Sequence, residues 1–316
     1  MVVRLIPSCL FSSLQPGQTI CLPKQVAFRK CRRDMKRSCL RRPQILPCAN
    51  EEALGSRVFV LSDLHTDYSE NMTWVKGLST IEHKKDVLLV AGDVAETYNY
   101  FVLTMSLLKD RFDNVFYVPG NHDLWCREKD DYACKDFHAC KWPGELSNGD
   151  ASLALYFDAM NDRNQNTIKE IQRSCTQIIS FSHFLPRQEL CPEKRMLFYP
   201  KLPKIIGSDC LEARIRSIHG VEGGVSMCHV FGHTHFCWDA VLDGIRYVQA
   251  PLAYPRERKR RMNGGEDWLP FCIYSNGEFA DRLSPCFWSD YYSANPRTPH
   301  ITRLAPWVAR FYGQPS

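Results

Sequence analysis

The sequence predicts an α/β fold, with a parallel sheet in its first half and a strand-rich, largely antiparallel second half. Three observations lead there. Between residues 57 and 118, three short and continuously apolar runs alternate with segments of helical period, the pattern of parallel strands buried on both faces. Beyond residue 226, apolar runs are joined by Asp243-Gly244 and Asn276-Gly277, both strong hairpin signals. Five polar motifs each stand just after an apolar run, so they fall together at the carboxyl ends of strands, where ligand crevices of such sheets lie.

The first strand is Arg57–Ser62, ending at Asp63-Leu64-His65. Asn71–Ile81 follows as a helix. Asp86–Ala91 is a second strand, ending at Gly92-Asp93. Thr97–Asp110 carries Phe101, Met105 and Leu108 at helical spacing. Asn114–Val118 is a third strand, stopped by Pro119 and Gly120, and it presents Asn121, His122 and Asp123. Residues 124–150 show no legible strand. Leu153–Met160 and Thr167–Ser174 read as helices, and Gln177–Ser182 as a strand ending at His183. Pro186, Pro192, Pro200 and Pro203 mark residues 184–208 as a long loop over the site. Cys210–Ile218 reads as a helix, and Met227–Phe231 as a strand ending at Gly232-His233-Thr234-His235. The hairpins pair Cys237–Leu242 with Ile245–Ala250, and Phe271–Tyr274 with Glu278–Leu283.

Charge divides the chain unevenly. Residues 1–50 hold ten Lys/Arg and one acid, Asp34; the rest holds 30 Lys/Arg against 34 Asp/Glu. The basic balance thus belongs to the leader and gives no case for nucleic-acid binding by the remainder. Acid-poor, Arg-rich and Ser-containing, residues 1–50 have the composition of a disordered organelle transit leader, with the chloroplast expected and mitochondrion or cytosol as alternatives. Residues 51–285 are expected to form the domain, and 286–316 a C-terminal extension. No segment is long and apolar enough to span a bilayer. The 15 cysteines contain no Cys-x-x-Cys pair, which argues against a structural zinc site. Cys228, Cys237 and Cys272 lie in apolar runs as small buried groups, which fits a reducing compartment.

The motifs supply Asp63, His65, Asp93, Asn121, His183, His233 and His235. Hard oxygens and imidazoles without a thiolate suit manganese, iron or zinc. Two ions about 3.5–4 Å apart can activate a bridging water and clamp a phosphoryl group for in-line displacement. Among the other histidines, His229 reads as a core residue, while His83, His138, His219 and His300 read as surface. The run Arg256–Arg261 reads as a solvated charge cluster.

With these motifs in this order, residues 57–283 resemble the calcineurin-like metallophosphoesterases, and within them plant-type members of undefined substrate. The resemblance implies a four-layer sandwich of two mixed sheets flanked by helices, with a dinuclear metal site at the strand ends. It implies Asp63, His65 and His235 on one metal, Asn121, His183 and His233 on the other, and Asp93 bridging them. His122 would donate a proton to the leaving group, with Glu96 orienting it. The implied activity is hydrolysis of a phosphorylated small molecule by a metal-bridging hydroxide. The alternatives are a phosphodiesterase acting on a nucleotide or lipid head group, and a metal-binding scaffold without turnover. His122 beside Asn121 favours catalysis, because a scaffold needs ligands but no proton donor. Two departures stand out. Thr97 occupies the position at which the family's protein phosphatases carry an arginine. The strand expected soon after the Asn-His motif is not legible before Ser152, which implies an exposed sheet edge.

Fusing residues 1–50 to a fluorescent reporter tests the leader. Signal in plastids is expected, and diffuse cytosolic signal would refute it.

Overall fold

The computed structural model describes residues 2–4, 57–124, 142, 144–147, 150–175, 177–200, 202–219, 226–259, 265–283 and 286–313. Most of the leader and most of residues 125–149, where no strand was legible, lie outside the described residues.

Two five-stranded mixed sheets form the centre. In the first, β2 (Val58–Leu61), β3 (Val87–Ala91) and β4 (Asn114–Val118) run parallel, in the order β2-β3-β4. The chain returns late to complete this sheet. β9 (Phe271–Ser275) pairs antiparallel with β2, and β10 (Glu278–Phe279) with β9. In the second, β5 (Gln177–Phe181), β6 (Ser226–Phe231) and β8 (Ile245–Gln249) run parallel. The antiparallel β7 (Trp238–Leu242) lies outside β8. At the opposite edge, β1 (Val2–Arg4) pairs antiparallel with β5. Both hairpin turns are made as the sequence predicts: Asp243, Gly244, Asn276 and Gly277 all take positive φ.

The helices follow from the same patterns. α1 (Ser69–Gly77) buries Asn71, Met72 and Val75; it stops earlier than expected, at Leu78, where the backbone turns extended. α2 (Tyr98–Arg111) buries Met105 and Leu108. Val75 and these two pack with β2, β3, β4 and with inward residues of the second sheet, such as Ile179, Phe181 and Val230, in one core. After a single turn, α3 (Asn121–Leu124), come α4 (Ser152–Asp162), α5 (Gln165–Ser174) and α6 (Asp209–His219).

A second core lies on the other face of the second sheet. It joins Leu185, Leu190, Met196 and Ile206 to Trp238, Tyr247, Trp288 and Val308. Residues 184–208 therefore do not arch over the site as a loop. They make three short 3₁₀ turns, a bridge between Leu185 and Gly207, and a packed layer beneath the sheet. Residues beyond 285 contribute α8 (Phe287–Ala294) and α9 (Pro306–Phe311) to that core. Apolar side chains at 185, 190, 196 and 206 decided this outcome over the prolines.

Two histidines expected at the surface are buried. His83 stacks on Phe112 and places Nδ1 3.0 Å from Asp86. His219 places Nε2 2.7 Å from Ser180 Oγ, which also meets His229 Nδ1; His229 Nε2 meets Ser182 Oγ. His229 is thus the satisfied core residue the sequence suggested, and His300 is exposed. His138 lies outside the described residues.

Burial pushes the His219 imidazole down to about 4, from an ordinary 6.5, and its Nδ1 has no acceptor among the described residues. Below pH 6.5 the unfolded chain takes up a proton that the folded chain refuses. Stability is therefore complete above 6.5 and falls progressively toward pH 4, by about 3 kcal/mol from this group. Guanidinium unfolding across pH 4.5–7.5 should show this loss, with a shallower slope in His219→Gln. Identical slopes would exclude His219 as the source.

Candidate metal centre

The six parallel strands end on one side of the molecule, and their ends carry the motifs. Asp63 and His65 follow β2, Asp93 follows β3, and Asn121 opens α3 after β4. From the second sheet come His183 after β5, and His233 and His235 after β6. Seven side chains from five strand ends thus meet between the two sheets. All seven are buried or nearly so.

The local backbone that achieves this is unusual. Asp63, His65, Asp93, His233 and His235 all have φ between +42° and +78°, a region that costs a non-glycine residue of order 1 kcal/mol or more. Each such residue turns a strand end sharply, so that its side chain points along the strand axis into the centre. The preceding glycines leave room for this. A Cβ on Gly120 would lie 2.1 Å from Asp93 Oδ1, and one on Gly92 would lie 2.3 Å from His183 Nδ1. Backbone hydrogen bonds join the motifs directly: Asp63 N–H donates to Gly92 O and His65 N–H to Asp93 O.

The ligand atoms fall into two groups that share Asp93. Asp63, His65, Asp93 and His235 bring their atoms within 4.8 Å of one another, as do Asp93, His183 and His233. In the first group, His65 Nε2 and His235 Nε2 are 3.0 Å apart, and Asp63 Oδ1 is 3.5 Å from His235 Nε2. In the second, Asn121 Oδ1 lies 2.9 Å from His183 Nε2 and 3.0 Å from His233 Nδ1. Asp93 Oδ2 stands 3.4 Å from His183 Nε2 and 3.9 Å from His65 Nε2, so one oxygen faces both groups. The carboxylates are fixed from behind: Ser62 Oγ donates to Asp63 Oδ2, His233 N–H to Asp63 Oδ1, and His122 N–H to Asp93 Oδ1.

The electrostatics fit two cations. Burial opposes charge on His183, but Asp93 outweighs it and holds the ring up at about 9. Burial likewise opposes charge on His235, yet Glu257 and Asp63 hold it at about 9. Burial instead depresses His65, and takes His233 down to about 3. Each group thus has one ring, His235 in the first and His183 in the second, whose surroundings favour positive charge, the charge a metal ion would supply there. Asp63 is raised by burial; Asp93, despite burial, is held well below the usual range by His183 and His122. Buried imidazoles and carboxylates converging on two points, with no thiolate, match the donor preferences of manganese, iron or zinc.

Around these ligands the structure adds residues to which the sequence assigns no role in the site. Glu257 Oε2 lies 2.7 Å from His235 Nδ1 and fixes that ring. Arg258 donates to Asn71 Oδ1 and to Leu252 O and Ala253 O. The expected solvated charge run is therefore in part a support for the site, because α7 (Pro255–Arg258) starts directly behind it. Asp123 accepts the N–H groups of Val94, Ala95 and Gly120, which ties the Asp93 and Asn121 turns together. Burial and Asp93 push its carboxyl up to about 6. His122 Nδ1 lies 3.1 Å from Glu96 Oε1, and its Nε2 lies 3.9 Å from Asp93 Oδ2.

Tyr254 was missed as well, and one signal could have found it. β8 was read only as the hairpin partner of β7. It also pairs in parallel with β6, so its carboxyl end, Ala250–Tyr254, reaches the same centre.

Comparison with known proteins agrees with this geometry. A family model described as calcineurin-like phosphoesterase matches residues 56–237. The acyl-carrier-protein phosphodiesterase PptH of Mycobacterium tuberculosis (strain ATCC 25618 / H37Rv) is 24% identical over 276 residues, covering 67% of this chain and 83% of that protein. The crystal structure of phosphopantetheinyl hydrolase PptH from Mycobacterium tuberculosis shares the fold, with a TM-score of 0.54 at 21% identity, over 71% of this chain and 99% of that one.

Two substitutions test the centre by metal analysis of purified protein. Asp93→Asn should lose metal from both groups, because the shared carboxylate offsets the repulsion of two cations. Glu257→Gln should weaken metal affinity about 10–100-fold while the fold persists, as expected for a group that orients a ligating histidine. Two metals per chain in Asp93→Asn would show that the carboxylate is not shared.

Proposed function

The chain belongs to the calcineurin-like phosphoesterase family, hydrolases of phosphate ester bonds, and from that premise we propose that it cleaves a phosphodiester with alkyl oxygens as leaving groups. The observation that carries the proposal is Asp93 between two ligand groups, with His122 beside it and outside both. In this reading Asp63, His65 and His235 hold one ion, Asn121, His183 and His233 hold a second, and Asp93 is common to both. Two such ions, when bound, polarise the phosphoryl oxygens and acidify water for attack.

The chain's own part is positioning and proton transfer. Glu96 accepts from His122 Nδ1, so Nε2 is the nitrogen turned toward the reacting phosphorus. It is placed to protonate the departing oxygen. An alkoxide is a poor leaving group, and proton donation of this kind is worth about 10²–10⁴-fold when the leaving oxygen needs it.

Two observations support a diester over a monoester. The Mycobacterium tuberculosis relative is by name a phosphodiesterase. Next to the proton donor, Thr97 donates its hydroxyl to Asp67 Oδ1, and Glu96 N–H donates to Asp67 Oδ2. Two carboxylates, Asp67 and Glu96, thus stand near the proton donor, a surrounding that disfavours the second negative charge of a monoester dianion. A phosphopantetheinyl group on a carrier is the substrate type we favour, and a plastid the site of action.

A panel of chromogenic mono- and diesters with added Mn²⁺ tests the reaction. Diester turnover is expected; turnover of neither would leave a metal-binding scaffold. Within an active preparation, His122→Asn should depress hydrolysis of a dialkyl phosphate about 10²-fold or more, spare bis(p-nitrophenyl) phosphate, and keep both metals. Equal loss on both substrates, with loss of metal, would make His122 a ligand rather than an acid.

A further inference from the structure

Tyr254 has no role in the mechanism above, yet it touches His65, His235 and His122. Its ring lies tilted on His65, with centroids 4.4 Å apart, and edge-on to His235 at 4.7 Å. Its hydroxyl is 3.4 Å from His122 Nε2. Contacts of this length are common in catalytic sites without substrate and tighten in the reacting complex. Because Glu96 holds the other nitrogen, His122 is met at both ends of its ring.

The tyrosine is itself firmly placed. Ala253, at φ +59°, donates its N–H to Asp63 O, and Leu252 N–H donates to Ser62 O. Asn71 Nδ2 donates to both Leu64 O and Ala253 O, which fastens the segment before Tyr254 to the segment after Asp63. Tyr254 N–H donates to Glu257, the carboxylate that also fixes His235. On the outer side, Tyr68 and the Arg256 guanidinium lie against the ring, at 5.2 and 5.6 Å.

We propose that Tyr254 is the positioning residue of the proton-donation step, its hydroxyl holding His122 Nε2 where the leaving oxygen departs while its ring packs on His65 and His235. The inference rests on the phosphoesterase reading above. A ring held at one nitrogen can swing about that bond, and a second contact at Nε2 removes the swing. Before the step the Nε2–H faces the Tyr254 oxygen, which accepts from it; in the step itself that proton turns to the departing oxygen and passes to it as its bond to phosphorus breaks. Tyr254 keeps its own proton throughout.

Tyr254→Phe removes one oxygen and leaves the ring, so it separates aiming from packing. In the metal-loaded full chain it should retain both metals and slow dialkyl phosphate hydrolysis about tenfold or more, a part of the roughly 10²–10⁴-fold worth of a general acid. Its rate on bis(p-nitrophenyl) phosphate should stay near wild type. In a His122→Asn background the same change should cost nothing further. An equal slowing of both substrates, or the full loss persisting without His122, would overturn the proposal. Ring ¹⁵N spectra of the metal-free protein give a readout independent of turnover. The His122 Nε2 resonance should move in Tyr254→Phe while Nδ1 holds, and an unmoved Nε2 would overturn the contact. If the wild type hydrolyses neither ester, the phosphoesterase reading fails, and the Nε2 resonance still decides the contact.

Discussion

The Asp93 carboxylate is the group on which the rest of the centre depends. It is completely buried, and burial alone would neutralise it. His183, His122 and His65 surround it closely enough to keep it ionised. In return it favours positive charge at His183, whether a proton or a metal ion supplies it. Charge is expensive in a buried site unless it is matched, so the two sheets are bound to each other by an electrostatic requirement as well as by their shared apolar core. Asp93 belongs to the first sheet and His183 to the second.

That requirement explains the backbone. Side chains at strand ends normally continue the alternation of the sheet, up and down, and would point into the core or the helices. Placing five of them in the left-handed region turns them forward. The strain is concentrated where Gly92 and Gly120 give space, and where motif-to-motif hydrogen bonds over-determine the chain. Strain gathered at a site of function, and absent from the strands that feed it, is a recurrent signature.

Much of this was legible in the sequence. Parallel strands buried on both faces have no alternating pattern to obscure them, so β2, β3 and β4 are found almost to the residue. The polar motifs stand out because nothing in a turn demands Asp-x-His or His-x-His. The hairpins at Asp243-Gly244 and Asn276-Gly277 were clear because type of turn and residue are tightly linked. Less visible was anything that depends on which strand lies next to which. Tyr254 and Glu257 reach the centre only because β8 pairs with β6, a neighbour far away in sequence. His83 and His219 carry no motif, and their burial follows from aromatic stacking and a serine on another strand. The layer formed by residues 184–208 was hidden by its prolines, although its apolar residues give the reason for its burial.

The late return of β9 sets the order in which the molecule can be built. Val58 pairs with Tyr274, so the first sheet stays open on one side until more than two hundred intervening residues have been placed. Closing so long a loop costs entropy that no local contact repays in advance. The helices α8 and α9, which seal the second core, come later still. A ribosome releasing this chain therefore holds no finished half: Asp63, His65, Asp93 and Asn121 are translated early but wait for His183, His233 and His235. An ion held by this centre would therefore meet its full set of ligands only after both sheets have come together.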